Sequence, residues 1–331
     1  MQYIKDRMYI KNIELKNRLV LPSMETVSCG DDGEVSEDTI KYYDEITKSG
    51  YIGLVIVEHT YISPEGKVKN GQLSVADNSK IEGLKKLAQT IQANGSKAVL
   101  QLSHAESNCL KDSKGAEPVG PSAVVNPRSK DGLVPRELTK EGIKDLVRKF
   151  ADAAVRAKKA GFDGVEIHSA HGYLLNQFLS PLTNKRTDEY GKDLMGRIRI
   201  HMETIEAVNR EVGLEYAVFL RLGASDYMEG GTTIEDSVIA SREFAKIGVD
   251  AIDVTGGMCG FMGPQFTGQG YFSELSEKIK MAVNIPVILT GGITEPEAAE
   301  KFLRMKKADC IGVGRAILKD YDWPRKAMNQ Q

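Results

Sequence analysis

Short apolar runs recur along the chain at 19–24 (LVLPSM), 51–58 (YIGLVIVE), 97–102 (KAVLQL), 164–168 (GVEIH), 217–222 (AVFLRL), 251–255 (AIDVT), 286–290 (PVILT) and 310–313 (CIGV). Each is nearly continuous rather than alternating. Strands buried on both faces lose the in–out alternation of a half-exposed sheet, so these eight runs predict a parallel sheet covered by helices. Helical spacing fills the intervals between them. Thr139 precedes the run EGIKDLVRKFADAAVRAKKA, which Gly161 closes, and Thr294-Glu295-Pro296-Glu297 reads as a capping box with proline in the first turn. Strand then helix, eight times over, predicts an α/β fold, a single (β/α)8 TIM barrel over residues 1–331 with long βα loops across its C-terminal face. A doubly wound open sheet would carry a glycine-rich fingerprint after its first strand, and LVLPSMET carries none.

Two connections hold too many turn residues for plain helix. The one from about 103 to 137 contains Gly115, Pro118, Gly120, Pro121, Pro127, Gly132 and Pro135 and is expected to cross the barrel mouth as a lid or substrate loop. The segment 173–197 is a second insertion.

Charge narrows the partners. With 44 Lys+Arg against 46 Asp+Glu the net charge is −2, which removes the electrostatic case for nucleic acid. No run approaches the ~18 apolar residues of a membrane span, and the first residues lack the apolar core of a signal peptide, so a cytoplasmic protein away from membranes is expected. Cys29, Cys109, Cys259 and Cys310 stand singly, without the spacing of a zinc or iron–sulfur site.

In a barrel the reacting groups sit where strands end, so the polar residues there carry the chemistry. The first strand ends in Ser23-Met24-Glu25-Thr26, the second in Glu58-His59-Thr60, the third in Gln101-Leu102-Ser103-His104, and the fourth in His168-Ser169-Ala170-His171-Gly172-Tyr173. Arg221 follows on the fifth. His59, His104, His168 and His171, four of the five histidines, fall at this one end and imply one site. Gly291-Gly292 leading to a helix start at Thr294, with Gly314-Arg315 beside it, offers bare amides next to a guanidinium, the combination that holds a phosphate. No carboxylate or third histidine completes a metal set around His168 and His171, and no metal is expected. Two imidazole N–H groups instead suit a carbonyl oxygen that gains charge, and Tyr173 can deliver a proton to carbon. Gln101 and Arg221 suit a planar heterocycle; the competing role for Arg221 is an internal salt bridge to Glu58 or Glu166.

These residues resemble the old yellow enzyme family of FMN-dependent ene-reductases. The match runs through LKNRLVLPSM (15–24), GLVIVEHTYISPEGK (53–67), LQLSHA (100–105), GFDGVEIHSAHGYLLNQFLSPLTNKRTDEYG (161–191), FLRLGASD (219–226), VILTGGI (287–293) and ADCIGVGRAILKDYDWPRKA (308–327). The resemblance implies that Ser23, Met24, Glu25, Thr26 and His59 lie along the flavin and that Gln101 and Arg221 contact its ring. It places Gly291, Gly292, Gly314 and Arg315 at the FMN phosphate. It implies that His168 and His171 hold the substrate's electron-withdrawing group and that Tyr173 is the proton donor. The mechanism implied is ping-pong: NADH or NADPH reduces FMN, and hydride then passes to the β-carbon of an enone or enoate while Tyr173 protonates the α-carbon. The family also implies dimers or tetramers. Glu25, where relatives often carry Cys or Thr, and His59, where they commonly carry Ala, depart from its pattern. The chain also resembles the barrel portion of multidomain 2-enoate and 2,4-dienoyl-CoA reductases, so the alternatives are a barrel piece of such an enzyme or an FMN-binding module that hands electrons to a partner.

Overall fold

The computed structural model describes residues 2–105, 118–129, 132–263 and 265–329. Strands β1 (Met8–Ile10) and β2 (Ile13–Leu15) form an antiparallel hairpin. After it come β3 (Leu19–Leu21), α1 (Glu37–Thr47), β4 (Leu54–Tyr61), α2 (Ile81–Ala93) and β5 (Lys97–Ser103). A small parallel pair, β6 (Val119–Gly120) and β7 (Arg136–Glu137), precedes α3 (Lys140–Lys159), β8 (Gly164–Ser169), α4 (Leu174–Leu179) and α5 (Leu194–Val212). The chain continues through β9 (Ala217–Gly223), α6 (Ile234–Lys246), β10 (Ala251–Thr255), α7 (Ser273–Lys280), β11 (Val287–Thr290), α8 (Pro296–Arg304), β12 (Cys310–Gly312), α9 (Arg315–Lys319) and α10 (Trp323–Met328).

Strands β3, β4, β5, β8, β9, β10, β11 and β12 close into one barrel, every neighbouring pair parallel. These are the eight apolar runs. Each strand residue is buried except the half-buried Lys97 at the start of β5, because the strands pack the barrel lumen on one face and helices on the other. Inside the lumen, Val20, Leu54, Ile56, Val99, Ala217, Phe219, Ala251, Ile288 and Cys310 cluster with Met8, Ile10, Ile13 and Leu15, so the hairpin plugs the N-terminal end with apolar side chains. Among the described residues no helix is long and apolar enough to cross a membrane.

The helix boundaries follow local chemistry. The Thr139 hydroxyl accepts from the Gly142 amide to start α3, whose buried face (Ile143, Leu146, Phe150, Ala153, Ala154, Ala157) follows the helical period, and Gly161 at φ +85° turns the chain toward β8. The box expected at Thr294 does not form. Helix α8 starts at Pro296 with Glu295 as its cap and no side-chain cap bond. Gln269, arriving from the preceding loop, takes both Thr294 groups instead: its Oε1 accepts from the Thr294 amide at 2.8 Å and its Nε2 donates to the hydroxyl at 2.6 Å. Within the long connection after β5, residues 118–129 and 132–137 are described; Gly115 and Cys109 lie outside the described residues.

Candidate functional site

The inward positions of the barrel turn polar toward the C-terminal end. Gln101 is in register with Glu166, His168 with Arg221, and Arg221 with Asp253; Glu166 and His168 lie two positions apart on β8, so these groups fill successive inward tiers of adjacent strands. Gln101 Nε2 donates to Glu166 Oε2 at 2.5 Å, and Thr290 Oγ1 donates to Asp253 Oδ1 at 2.6 Å. Arg221 Nε lies 3.5 Å from Asp253 Oδ2. Arg221 is therefore paired internally, but with Asp253 and not with Glu58 or Glu166 as the alternative reading named. Burial and the Asp253 charge push the Glu166 carboxyl up to about 8 against the pull of Arg221. Asp253 is raised too by burial, which Arg221 opposes. Burial thus disfavours the charged form of both carboxyls, and Arg221 opposes that at each. Among the described residues, Glu166 Oε1, Asp253 Oδ2 and Arg221 Nε nevertheless lack hydrogen-bond partners.

Above this layer, the HSAHGY segment makes a tight reversal. His171 at φ +59° and Gly172 at φ +76° are consecutive left-handed residues, a conformation that costs about 1–3 kcal/mol in a non-glycine residue and needs support. The support is local: the Gly172 amide donates to Asn176 Oδ1 at 2.7 Å, and its carbonyl accepts from Gln177 Nε2 at 2.7 Å and Asn126 Nδ2 at 2.9 Å. The turn brings His168, His171 and Tyr173 together, with ring centroids 5.1 Å apart for the two histidines and 5.0 Å for His168 and Tyr173. His168 Nδ1 accepts from the Ala170 amide at 3.1 Å, which leaves the ring proton on Nε2. His171 Nε2 bonds the Thr255 hydroxyl at 3.1 Å. Burial, then the Arg221 charge, hold both imidazoles well below their usual pKa, so they are neutral donors.

A cavity of about 530 Å³ opens over these groups, within the roughly 300–1,000 Å³ range of small-molecule sites. It brings together Ser23, Met24, Glu25, His59, Gln101, His168, His171, Tyr173, Arg221, Gly291, Gly292, Gly314 and Arg315. Thr26 stands outside the lining; its amide and hydroxyl both donate to the buried Glu58, at 3.2 and 2.7 Å. His104 also stands outside, packed beneath Gly66, so three of the four clustered histidines meet, not four. The expected approach of the glycine pair to a helix start at Thr294 is corrected by two residues, since α8 begins at Pro296.

Glu25 and His59 prove to be one contact. His59 Nε2 lies 3.3 Å from Glu25 Oε1, and Lys69 Nζ 2.6 Å from Glu25 Oε2. Burial alone would raise the carboxyl, but His59 and Lys69 draw it down to about 2. Gln72 sets the imidazole: its Oε1 accepts from the Val68 amide at 2.7 Å, which turns Nε2 onto His59 Nδ1, also 2.7 Å away.

A flavin mononucleotide fits this donor set. Gly291, Gly292, Gly312 and Gly314 line one end, where a Cβ would come within 2.7 Å of Phe272, 2.2 Å of Tyr271, 2.0 Å of Thr290 and 2.5 Å of Met24 respectively, so the backbone there stays bare. Arg315 is exposed beside them and donates to the Tyr271 hydroxyl at 3.0 Å. Sequence reasoning missed Arg128, Phe261, Tyr271, Thr255 and Thr290, which also line the cavity, and Asp253 beneath it. Asp253 carried a signal, being a charge two positions along an inward strand face; the loop residues carried none.

Residues 7–331 match the family model described as NADH:flavin oxidoreductase / NADH oxidase. An NADH oxidase of Thermoanaerobacter brockii is 40% identical over 324 residues, 96% of this chain and 49% of that protein. Among solved structures, a 2-naphthoyl-CoA reductase in complex with 2-naphthoyl-CoA superposes with a TM-score of 0.92 at 29% identity, over 98% of this chain and 51% of that one. An old yellow enzyme homologue from Zymomonas mobilis gives 0.84 at 26% identity, over 98% and 92%. The chain thus spans about half the length of the NADH oxidase and of the naphthoyl-CoA reductase.

Proposed function

The chain belongs to the NADH:flavin oxidoreductase / NADH oxidase family, FMN-dependent enzymes of the old yellow enzyme type, and from that premise we propose that it reduces the activated C=C bond of an α,β-unsaturated carbonyl or acid derivative. The observation that carries the reading is the convergence of His168, His171, Tyr173 and Arg221 on one cavity that ends in bare glycine backbone. In this reading residues 1–331 act as one FMN-binding barrel domain, with Gly291, Gly292, Gly314 and Arg315 on the phosphate, Ser23 and Met24 along the ring, and Gln101 and Arg221 at its polar edge. The chemistry that FMN would supply when bound there is hydride transfer, from NADH or NADPH to the β-carbon of the alkene in a ping-pong sequence.

The protein's own part is electrostatics and proton delivery. His168 Nε2–H and the N–H of His171 meet the substrate carbonyl oxygen, and because both rings are neutral they donate without adding a second cation to that of Arg221. Tyr173, held against His168, gives its proton to the α-carbon. Arg221 offsets negative charge that develops above the barrel floor, and its pairing with Asp253 fixes its direction. The test is stopped-flow absorbance on Tyr173→Phe. Bleaching of the yellow protein by NADH or NADPH is expected at the wild-type rate, and recovery of colour with cyclohexenone is expected to slow by about 10²–10⁴-fold. Recovery at the wild-type rate would remove Tyr173 as proton donor. Bleaching of the wild type with no recovery on any enone or enoate would replace the alkene by another electron acceptor.

A further inference from the structure

Three arginines line the cavity, and they are not equally engaged. Arg221 has Asp253, and Arg315 has the Tyr271 hydroxyl. Among the described residues the Arg128 guanidinium has only the Met258 carbonyl oxygen, 3.4 Å from Nη1. Its position is nonetheless built. Gly172 and Gly260, at φ +76° and +80°, flank the side chain; a Cβ at the first would come within 2.6 Å of Arg128 Cδ and at the second within 2.2 Å of Nη1. Asn126 ties the backbone to the catalytic turn, since its Oδ1 accepts from the Arg128 amide at 2.9 Å while its Nδ2 donates to the Gly172 carbonyl at 2.9 Å. Two loops therefore leave a slot for this one side chain, and the slot is fastened to the turn that carries His171 and Tyr173. On the other side Phe261, next to Gly260, stands edge-on to the His171 ring at 5.3 Å.

The chemistry of the acceptor says what a cation here can do. Hydride addition to a neutral enone develops one negative charge on the carbonyl oxygen, which two neutral imidazole donors can meet. An α,β-unsaturated carboxylate begins with one charge and gains a second as electrons enter, and neutral donors alone leave that dianion poorly matched. A guanidinium beside them supplies charge in a planar fork suited to a carboxylate. We propose that Arg128 reads the carboxylate of an α,β-unsaturated acid held at His168 and His171, and so determines that this site takes acids in preference to their neutral counterparts. The step balances: the β-carbon receives hydride, the α-carbon receives the Tyr173 proton, the π bond is lost, and the product is a saturated carboxylate of unchanged charge.

The inference rests on the ene-reductase reading, and one experiment separates the two. The FMN-loaded protein is titrated with cinnamate and with cinnamamide, which share a shape and differ in charge, and binding is followed by calorimetry. The wild type is expected to favour cinnamate, Arg128→Gln to cut the cinnamate-to-cinnamamide affinity ratio by about ten- to a hundredfold, and Arg128→Lys to restore part of it. A general loosening of the loop would weaken both ligands and leave the ratio in place. An unchanged ratio in Arg128→Gln, or a wild type with no preference for the acid, overturns the proposal. Wild-type turnover of cyclohexenone and of cinnamate is measured alongside; the absence of both would remove the ene-reductase reading, whereas turnover of either with an unchanged ratio removes only the role of Arg128.

Discussion

Near its N-terminal end the barrel is filled by Ala217, Phe219, Ala251, Ile288 and Val99 against the β1–β2 hairpin; one inward step along the same strands the fill becomes Arg221, Asp253, Thr290 and Gln101. Both layers are buried, and both follow the two-residue period of a strand. The apolar layer gains stability from every side chain it holds. The polar layer costs stability, since charges removed from water are repaid only by good pairing, and among the described residues Arg221 Nε, Asp253 Oδ2 and Oε1 of the adjoining Glu166 have no hydrogen bond. A fold that needed only a filled barrel would have continued the apolar layer. The contrast marks the upper half as kept for a ligand.

The sharpest way to break this comparison uses neighbours on one strand. Phe219→Ala and Arg221→Met are each expected to cost about 3–5 kcal/mol in chemical denaturation, the first by opening a cavity and the second by leaving Asp253 buried without its cation. Only the second can be reversed by removing a partner: Arg221→Met with Asp253→Leu should regain most of the loss. If the double variant is no more stable than Arg221→Met, the polar layer is not the electrostatic cost described here.

A smaller effect tests the bare-backbone end. Arg315→Ala should raise the dissociation constant for FMN by about ten- to a hundredfold, read by fluorescence quenching on reconstitution, with little change in melting temperature because the side chain is exposed. FMN affinity equal to wild type would remove Arg315 from the phosphate.

The smallest effect is in pH dependence. Glu166 has a folded pKa of about 8 against an ordinary 4.5, so between these values the folded protein holds a proton that the unfolded chain has lost. Stability from this group is complete below about 4.5 and declines as pH rises toward 8. Glu166→Gln, which cannot lose a proton, should flatten the fall in thermal midpoint across that window in the FMN-free protein. A slope identical to wild type would mean that Glu166 is already ionised in the fold.

The same contrast explains what was legible in the sequence. The eight strands were, because burial on both faces writes an unbroken apolar run, and so were Gln101, His168 and Arg221, which stand at the ends of those runs. The partners that define their state were harder to read. Asp253 sits inside the run AIDVT, where a lone charge gives no sign of which strand it faces until register is known. Lys69, Gln72, Arg128 and Tyr271 come from loops, where no period links position to direction. Glu25 and His59 stood out singly as departures from the family pattern; that they touch was not readable, since His59 lies where the register of β4 shifts between Val57 and Thr60 and bonds a loop glutamine, and neither feature has a sequence signature. Thr294 misled for the same reason, its capping groups being taken by Gln269 from a loop 25 residues earlier.

The most direct measurement is the visible absorption spectrum of the purified protein, recorded anaerobically before and after NADH or NADPH and again after cyclohexenone. The account predicts yellow bands that bleach with the nicotinamide and return with the enone. A colourless protein that takes up no added FMN would contradict it at its root.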